Sequence, residues 1–223
     1  MFRKCSGFVV GIGAVVIATV IICVCAFSCA GGNMAFNASY YFVCYRVTDN
    51  VISAGSLSGT ASSYGGAGYN LSYDGNYYVI MSCYYQKNDA ETVCSSLKKR
   101  DLDCTVLEIK TDEYRLKSYS AKRNEELYLG NLNTLHTLSM LAYECANGLD
   151  TGSYTQQQAK SVVYDIKSGL KGLLSANSGN CFMHGLNTVL NCCEEREKGY
   201  IYSKDMRYMQ AAVIDLIVNV KLN

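Results

Sequence analysis

Hydrophobic and polar positions along the chain fall into three regimes with different periods. The first is Phe8 to Phe27, FVVGIGAVVIATVIICVCAF, which holds no charge, amide or proline. A helix of that length spans roughly 30 Å, which matches the hydrocarbon core of a bilayer. Arg3 and Lys4 precede the run, whereas the next basic residues beyond it are Arg46 and Lys87. The positive-inside rule therefore predicts a single-pass anchor within residues 1–30, contacting the lipid bilayer through residues 8–27. The N-terminus is then cytoplasmic and the remainder extracytoplasmic, at the cell membrane. A cleaved signal peptide and a lipoprotein compete with this reading. Ala26-Phe27-Ser28 has a small-x-small form, and Ala26 to Cys29 resembles a lipobox without its leucine. The apolar run is longer than the roughly 7–15 residues of a signal h-region, which favours the anchor.

The second regime alternates. Residues 31–75 are rich in Gly, Ser, Ala and Tyr, and Ser53 to Gly68 reads as a flexible spacer. Asn37 and Asn70 there open Asn-x-Ser triplets. Tyr77 to Tyr85 is aromatic and β-branched, a strand pattern. Asn88 with Glu91 has capping-box spacing, and Ala90, Val93, Cys94 and Leu97 form one helical stripe ending at Lys98, Lys99 and Arg100. Cys104 to Ile109 predicts a second strand and Glu113 to Tyr119 a third, with Thr111-Asp112 as the turn between them. The result is a βαββ unit over 76–122.

From 123 to 223 the period becomes helical. Leu132, Leu135, Leu138, Leu141, Ala142 and Cys145 make one stripe. Thr155 with Gln158 caps a helix carrying Ala159, Val162, Val163, Ile166 and Leu170. Phe182, Met183, Leu186, Val189, Leu190 and Cys193 form a third stripe. Ser203 opens a fourth helix with Met206, Met209, Val213, Leu216, Ile217 and Val220. An offset of 48 residues maps His136 on His184, Cys145 on Cys193 and Ile166 on Ile214. Duplication of a helical hairpin and convergence of two amphipathic hairpins both account for that match.

The segment Asn76 to Tyr85, then Asn88 to Val93, Leu97, Asp103 to Val106 and Tyr114-Arg115-Leu116, resembles a SPOR (sporulation-related repeat) domain. That family has a Y-x-V-x-x-x-x-[FY] strand, a helix opening on an alanine, a strand after a turn, and a short Y-R-V strand. The resemblance covers about 45 of the 223 residues. It implies a β-α-β-β-α-β module on an extracytoplasmic bacterial protein, typically behind one membrane helix. It also implies binding of peptide-stripped glycan strands of septal peptidoglycan, in the setting of the cell wall, division or sporulation. The chain departs from the family after Leu116, where leucine-rich helices replace the second helix and last strand.

Sugar rings stack on aromatic faces, and their hydroxyls bond amide and hydroxyl side chains. Tyr77, Tyr78, Tyr84, Tyr85 and Gln86 are therefore the candidate glycan-binding residues. Strict alternation would put Tyr78 with Tyr84 on one face and Tyr77 with Tyr85 on the other.

Composition narrows the remaining chemistry. A net charge of +1 argues against nucleic acid as a partner. Proline is absent where roughly eleven would be usual, which excludes polyproline stalks and PxxP ligands. His136 and His184 are the two histidines, and each precedes a cysteine by nine residues, Cys145 and Cys193. Nine residues give half a turn and about 13 Å of rise, so one helix does not bring its own pair to a metal. The twelve cysteines contain no C-x-x-C; Cys94, Cys145 and Cys193 occupy stripe positions as small hydrophobes. A disulfide among Cys83, Cys94 and Cys104 is open if the compartment oxidises. The pairs Glu125-Glu126 and Glu194-Glu195 read as solvated helix ends, and no G-x-S-x-G, H-E-x-x-H or P-loop occurs.

The expectation is an α+β protein: an N-terminal transmembrane helix, a spacer over 31–75, a small βαββ SPOR-like unit over 76–122, and a four-helix extension. It predicts a non-enzyme without cofactor or metal that binds peptidoglycan glycan strands. The alternative is a protein–protein interaction scaffold, held to a protein partner or to itself through residues 124–223.

Overall fold

The computed structural model describes residues 36–111, 122–176 and 182–219. The anchor over 8–27 and the strand expected at Glu113–Tyr119 lie outside the described residues. Among the described residues no helix is long and apolar enough to cross a membrane.

The chain enters through strand β1 (Ala38–Thr48), helix α1 (Val51–Ser63), strands β2 (Tyr69–Tyr73) and β3 (Asn76–Tyr84), helix α2 (Lys87–Lys98) and strand β4 (Thr105–Thr111). These four strands form one antiparallel sheet in the order β2-β3-β1-β4. Each strand–helix–strand unit thus has a strand of the other inserted between its own two, the split βαβ arrangement.

This topology corrects the expected layout. The stretch read as a spacer supplies two strands and a helix, and among the described residues the partners of Asn76–Tyr84 and Thr105–Thr111 come from upstream of Asn76. In β1, Tyr40-Tyr-Phe-Val-Cys-Tyr45 is as aromatic and β-branched as β3, and it takes an interior place in the sheet. Helix α1 starts at Asn50, whose Oδ1 accepts from the backbone N–H groups of Ile52 (2.9 Å) and Ser53 (3.1 Å). Its inner edge is only Ala54, Ala61 and the partly buried Leu57. That edge is too narrow to show as an amphipathic pattern but lets the helix lie close on the sheet. Asp74-Gly75 joins β2 to β3, with φ of 48° and 75°. Left-handed conformations at both central positions are what a tight two-residue hairpin requires.

The helix after β3 also begins differently from expectation. Its N-cap is Gln86, without a side-chain cap bond, and Asn88 sits inside the helix with its carbonyl accepting from Thr92 Oγ1 at 2.7 Å. The expected Asn88–Glu91 box is not formed. The stripe itself holds: Ala90 and Cys94 are buried, with Val93 and Leu97 packed beside them.

The second half comprises α3 (Lys122–Thr151), α4 (Gln156–Ala176), α5 (Phe182–Glu197) and α6 (Ser203–Val218). Each helix contacts the next and α6 returns to α3, closing a four-helix bundle. The box at Thr155 is reciprocal. Thr155 N–H donates to Gln158 Oε1 at 2.9 Å, and Gln158 N–H donates to Thr155 Oγ1 at 3.3 Å. The expected stripe residues Leu132, Leu135, Ala142, Cys145, Ala159, Val163, Ile166, Leu170, Leu186 and Cys193 are all fully buried. Each large aliphatic side chain so buried contributes roughly 1.5–3 kcal/mol.

The two halves share one core. Tyr40, Phe42, Cys44, Leu71, Ile80, Cys83 and Ile109 from one sheet face pack with the bundle residues. Val43, Val79 and Met81 from the opposite face pack with Ala54, Ala61, Ala90 and Cys94 of α1 and α2. Helices of this chain therefore cover both faces of the sheet.

Candidate functional site

The five residues singled out as glycan contacts lie on or just beyond β3. Tyr77 and Tyr84 pack against the α1/α2 core, Tyr78 and Tyr85 against the bundle core, and Gln86 is exposed. The face pairing therefore differs from strict alternation. Val43 of β1 pairs with Ser82 and Cys44 with Ile80, so Met81 is an extra residue on β3. A bulge of one residue reverses the sense of alternation beyond it. Tyr84 and Tyr85 consequently exchange faces relative to Tyr77 and Tyr78. The ring of Tyr84 meets Tyr143 edge-on at 6.0 Å, and Tyr85 meets Tyr40, His136 and Tyr143 at 6.0, 5.5 and 5.5 Å. Neighbours inside the protein take up these aromatic surfaces.

Around Tyr85 the sheet and bundle build a polar node. Tyr40 Oη and His136 Nδ1 are 2.9 Å apart. Tyr85 Oη lies 2.7 Å from Ser139 Oγ, which donates to the His136 carbonyl at 2.7 Å. Gln210 of α6 donates to the Cys83 carbonyl at 3.2 Å, while its Oε1 is buried without a partner. Burial lowers the pKa of His136 and raises that of Tyr85. Both are therefore neutral near pH 7. A hydroxyl nucleophile needs its base within reach of Oγ. Ser139 instead spends its proton on a backbone carbonyl, so the node acts as a latch between layers.

A second latch holds the edge strand. Tyr69 of β2 donates to Asp215 Oδ2 of α6 at 2.5 Å, and Asn219 donates to Asp215 Oδ1 and to the Ser72 carbonyl (3.0 Å). Burial raises the pKa of Asp215, while the two hydrogen bonds lower it; burial and the nearby carboxylate raise that of Tyr69. Asn70 on the same strand turns its Oδ1 inward, buried and without a partner, whereas Asn37 is exposed. Of the two Asn-x-Ser triplets, the one at Asn37 thus presents its side chain to solvent.

Among the described residues no group of three His, Cys, Asp or Glu side chains converges to hold a metal. The side chain of His184 lies outside the described residues. Cys44, Cys145 and Cys193 are buried, and burial pushes each thiol up to about 12. They remain protonated, and Cys145 and Cys193 are thereby the small hydrophobes that their stripe positions predict.

The outer surface carries the groups that sequence reading missed. Tyr200 and Tyr202, in the α5–α6 turn, are exposed at 63% and 54%, with ring centroids 4.8 Å apart. Lys204 Nζ stands 5.9 Å from the centre of the Tyr202 ring. Tyr164 of α4 is 56% exposed, with Lys167 over its ring at 5.6 Å. The signal for these tyrosines was positional: Tyr164 falls off the apolar stripe of α4, and Tyr200 and Tyr202 lie between α5 and α6. A shallow polar groove along α2 is lined by Asn88, Glu91, Thr92, Ser95, Ser96 and Lys99. No family model, curated protein or solved structure matches the chain.

Proposed function

We propose that the chain is a non-catalytic, membrane-attached interaction protein that engages a protein partner through its helical bundle. One observation carries this reading: the chain's own helices cover both sheet faces, while large aromatic rings stand exposed on α4 and the α5–α6 turn. Tyrosine offers broad amphipathic contact at low entropic cost, which is why interface cores are rich in it. The near-neutral charge suits a contact made by ring surface rather than long-range steering. The apolar run at 8–27 would hold the bundle at the outer side of the cell membrane.

The test is a photo-crosslinking residue at position 200 or 202 in the full chain in its native membrane. A discrete protein adduct at these sites, lost with Tyr164→Ser and Tyr202→Ser introduced beside a crosslinker at 200, supports the reading. No adduct at either site would sink it.

Binding of peptide-stripped glycan strands is the second reading, and one observation favours it. A β-α-β-β-α-β order, the one the SPOR resemblance implies, runs over Ala38–Thr111, with the segment that carries the resemblance starting at its third strand, β3, rather than its first. With Tyr77, Tyr78, Tyr84 and Tyr85 half-buried against the two cores, the sugar would meet an outer face such as the α2 groove. Full chain in detergent that pellets with amidase-stripped wall favours this reading, and a chain that stays in the supernatant removes it.

A further inference from the structure

The six buried cysteines among the described residues do not share one environment. Cys145 sits within the bundle core, and Cys44 and Cys83 face the bundle from the sheet. Cys193 Sγ has Met209 Sδ as its sulfur neighbour, at 3.9 Å. Cys94, near the end of α2, and Cys104, just before β4, stand apart: their Sγ atoms are 3.0 Å from each other. Each sulfur also rests on the other residue's backbone carbonyl, at 3.3 and 3.2 Å. The two side chains thus face each other from fixed backbones.

We propose that Cys94 and Cys104 form the disulfide of this fold, a covalent staple between helix α2 and strand β4. A disulfide needs about 2.05 Å between sulfurs, so the pair must close by about 1 Å, within reach of small side-chain rotations. The segment between them is already tightly folded. Arg100 N–H donates to Leu97 O at 2.9 Å, Leu102 N–H donates to Leu97 O at 3.1 Å, and Asp101 adopts φ of 60°. Among the described residues the other buried cysteines, Cys44, Cys83, Cys145 and Cys193, all belong to the bundle-side core, across the sheet from this pair.

The oxidant is a low-molecular-weight or protein disulfide. One Cys thiolate attacks it, forming a mixed disulfide and releasing one of its sulfurs as a thiol. The second Cys thiolate then attacks the mixed disulfide and expels the other sulfur. Two thiols become one disulfide, and the two electrons and two protons leave on the oxidant's pair of thiols. Cys94 and Cys104 are only 5% and 1% exposed. Burial and the adjacent Cys94 thiol also push the Cys104 thiol up to about 12. Exchange therefore takes place while α2 is still undocked, and docking afterwards shields the bond from reductant. The constraint on the unfolded chain would raise the folded-to-unfolded ratio about 100-fold.

The test refolds the full chain in detergent with oxidised and reduced glutathione, blocks free thiols under denaturing conditions, and digests it with trypsin. Lys98, Lys99 and Arg100 lie between the two cysteines, so their peptides, 88–98 and 101–110, separate unless a disulfide joins them. The expected result is that joined species, two hydrogens lighter than the sum, with Cys83 and Cys145 alkylated. Cys94→Ala should leave Cys104 alkylated in a folded chain. Full alkylation of Cys94 and Cys104 in the refolded wild type, or linkage of either to another cysteine, would overturn the proposal. Neither result bears on the interaction reading, which uses the opposite part of the molecule.

Discussion

The Tyr40 hydroxyl lies 2.9 Å from Nδ1 of His136, joining the interior strand β1 to the long helix α3. Two residues 96 apart in sequence thereby lock the sheet layer to the bundle. Phe36 and Tyr85 close around the same imidazole, with ring centroids at 6.0 and 5.5 Å. The neutral ring can accept the Tyr40 proton at Nδ1, whereas a protonated ring would turn that atom into a competing donor.

Burial lowers the His136 pKa in the folded state. An unfolded histidine titrates near about 6.5. Below that pH the unfolded chain binds more protons than the folded one, so stability falls as pH drops through about 6.5. Urea midpoints followed by tyrosine fluorescence should decrease from about pH 7.5 to about pH 5. His136→Gln should flatten part of that slope, and an unchanged slope would show that this ring does not contribute.

Tyr40→Phe keeps the ring against Tyr85 and His136 but removes the hydroxyl. Loss of a buried hydrogen bond of this kind costs about 1–2 kcal/mol. The expected readout is a lower urea midpoint with an unchanged denaturant slope.

Gly68 has φ of 62°, and a Cβ there would stand 2.7 Å from the Ser58 carbonyl oxygen of α1. Its N–H also donates to the Ile80 carbonyl at 2.9 Å. Gly68→Ala is therefore expected to destabilise by about 1–3 kcal/mol, through backbone strain and displacement of α1. Gly59→Ala, where a Cβ meets nothing within 4 Å, is the matched control and should be neutral or stabilising.

Asp215 has its pKa raised by burial. A carboxyl with a folded pKa above the unfolded value of about 3.9 gives stability that is present at low pH and lost as pH rises through the folded pKa. Asp215→Asn stays neutral throughout. Its stability relative to wild type should therefore rise between about pH 4 and about pH 7, read from paired thermal melts. A difference that does not vary with pH would show that the carboxyl titrates as in the unfolded chain.

Thr155→Ala removes the side chain that accepts from the Gln158 N–H at the start of α4. The expected cost is about 1 kcal/mol, measured as a shift in the urea midpoint, with Thr155→Ser restoring most of it.

Much of the bundle was legible because its signals are local. The stripe from Ala159 to Leu170 and the cap at Thr155 lie within a few residues of one another, and the helical period alone aligns them. The first half was less legible. Residues of α1 have weak intrinsic helix preference, and its inner edge is two alanines and a leucine, so docking on the sheet rather than propensity holds it helical. The Asp74-Gly75 turn and the aromatic run of β1 were readable signs of two further strands. The Gly/Ser-rich stretch between them obscured both.

The candidate site shows the same division. That β3 carries Tyr77, Tyr78, Tyr84 and Tyr85 is a property of the sequence; which cores they enter depends on the bulge at Met81 and on the bundle. Cys94 and Cys104 belong to one small unit by sequence, but their contact depends on how the end of α2 lies beside the start of β4. The sequence by itself determined where helices repeat, which residues line them and how little charge the chain carries, since each follows from neighbours a turn apart. Only the tertiary structure decided that a spacer-like segment completes a sheet, and that both sheet faces are covered. Strand partners and packed faces come from residues far apart in the chain, and their pairing is selected by the shared core rather than by any local pattern.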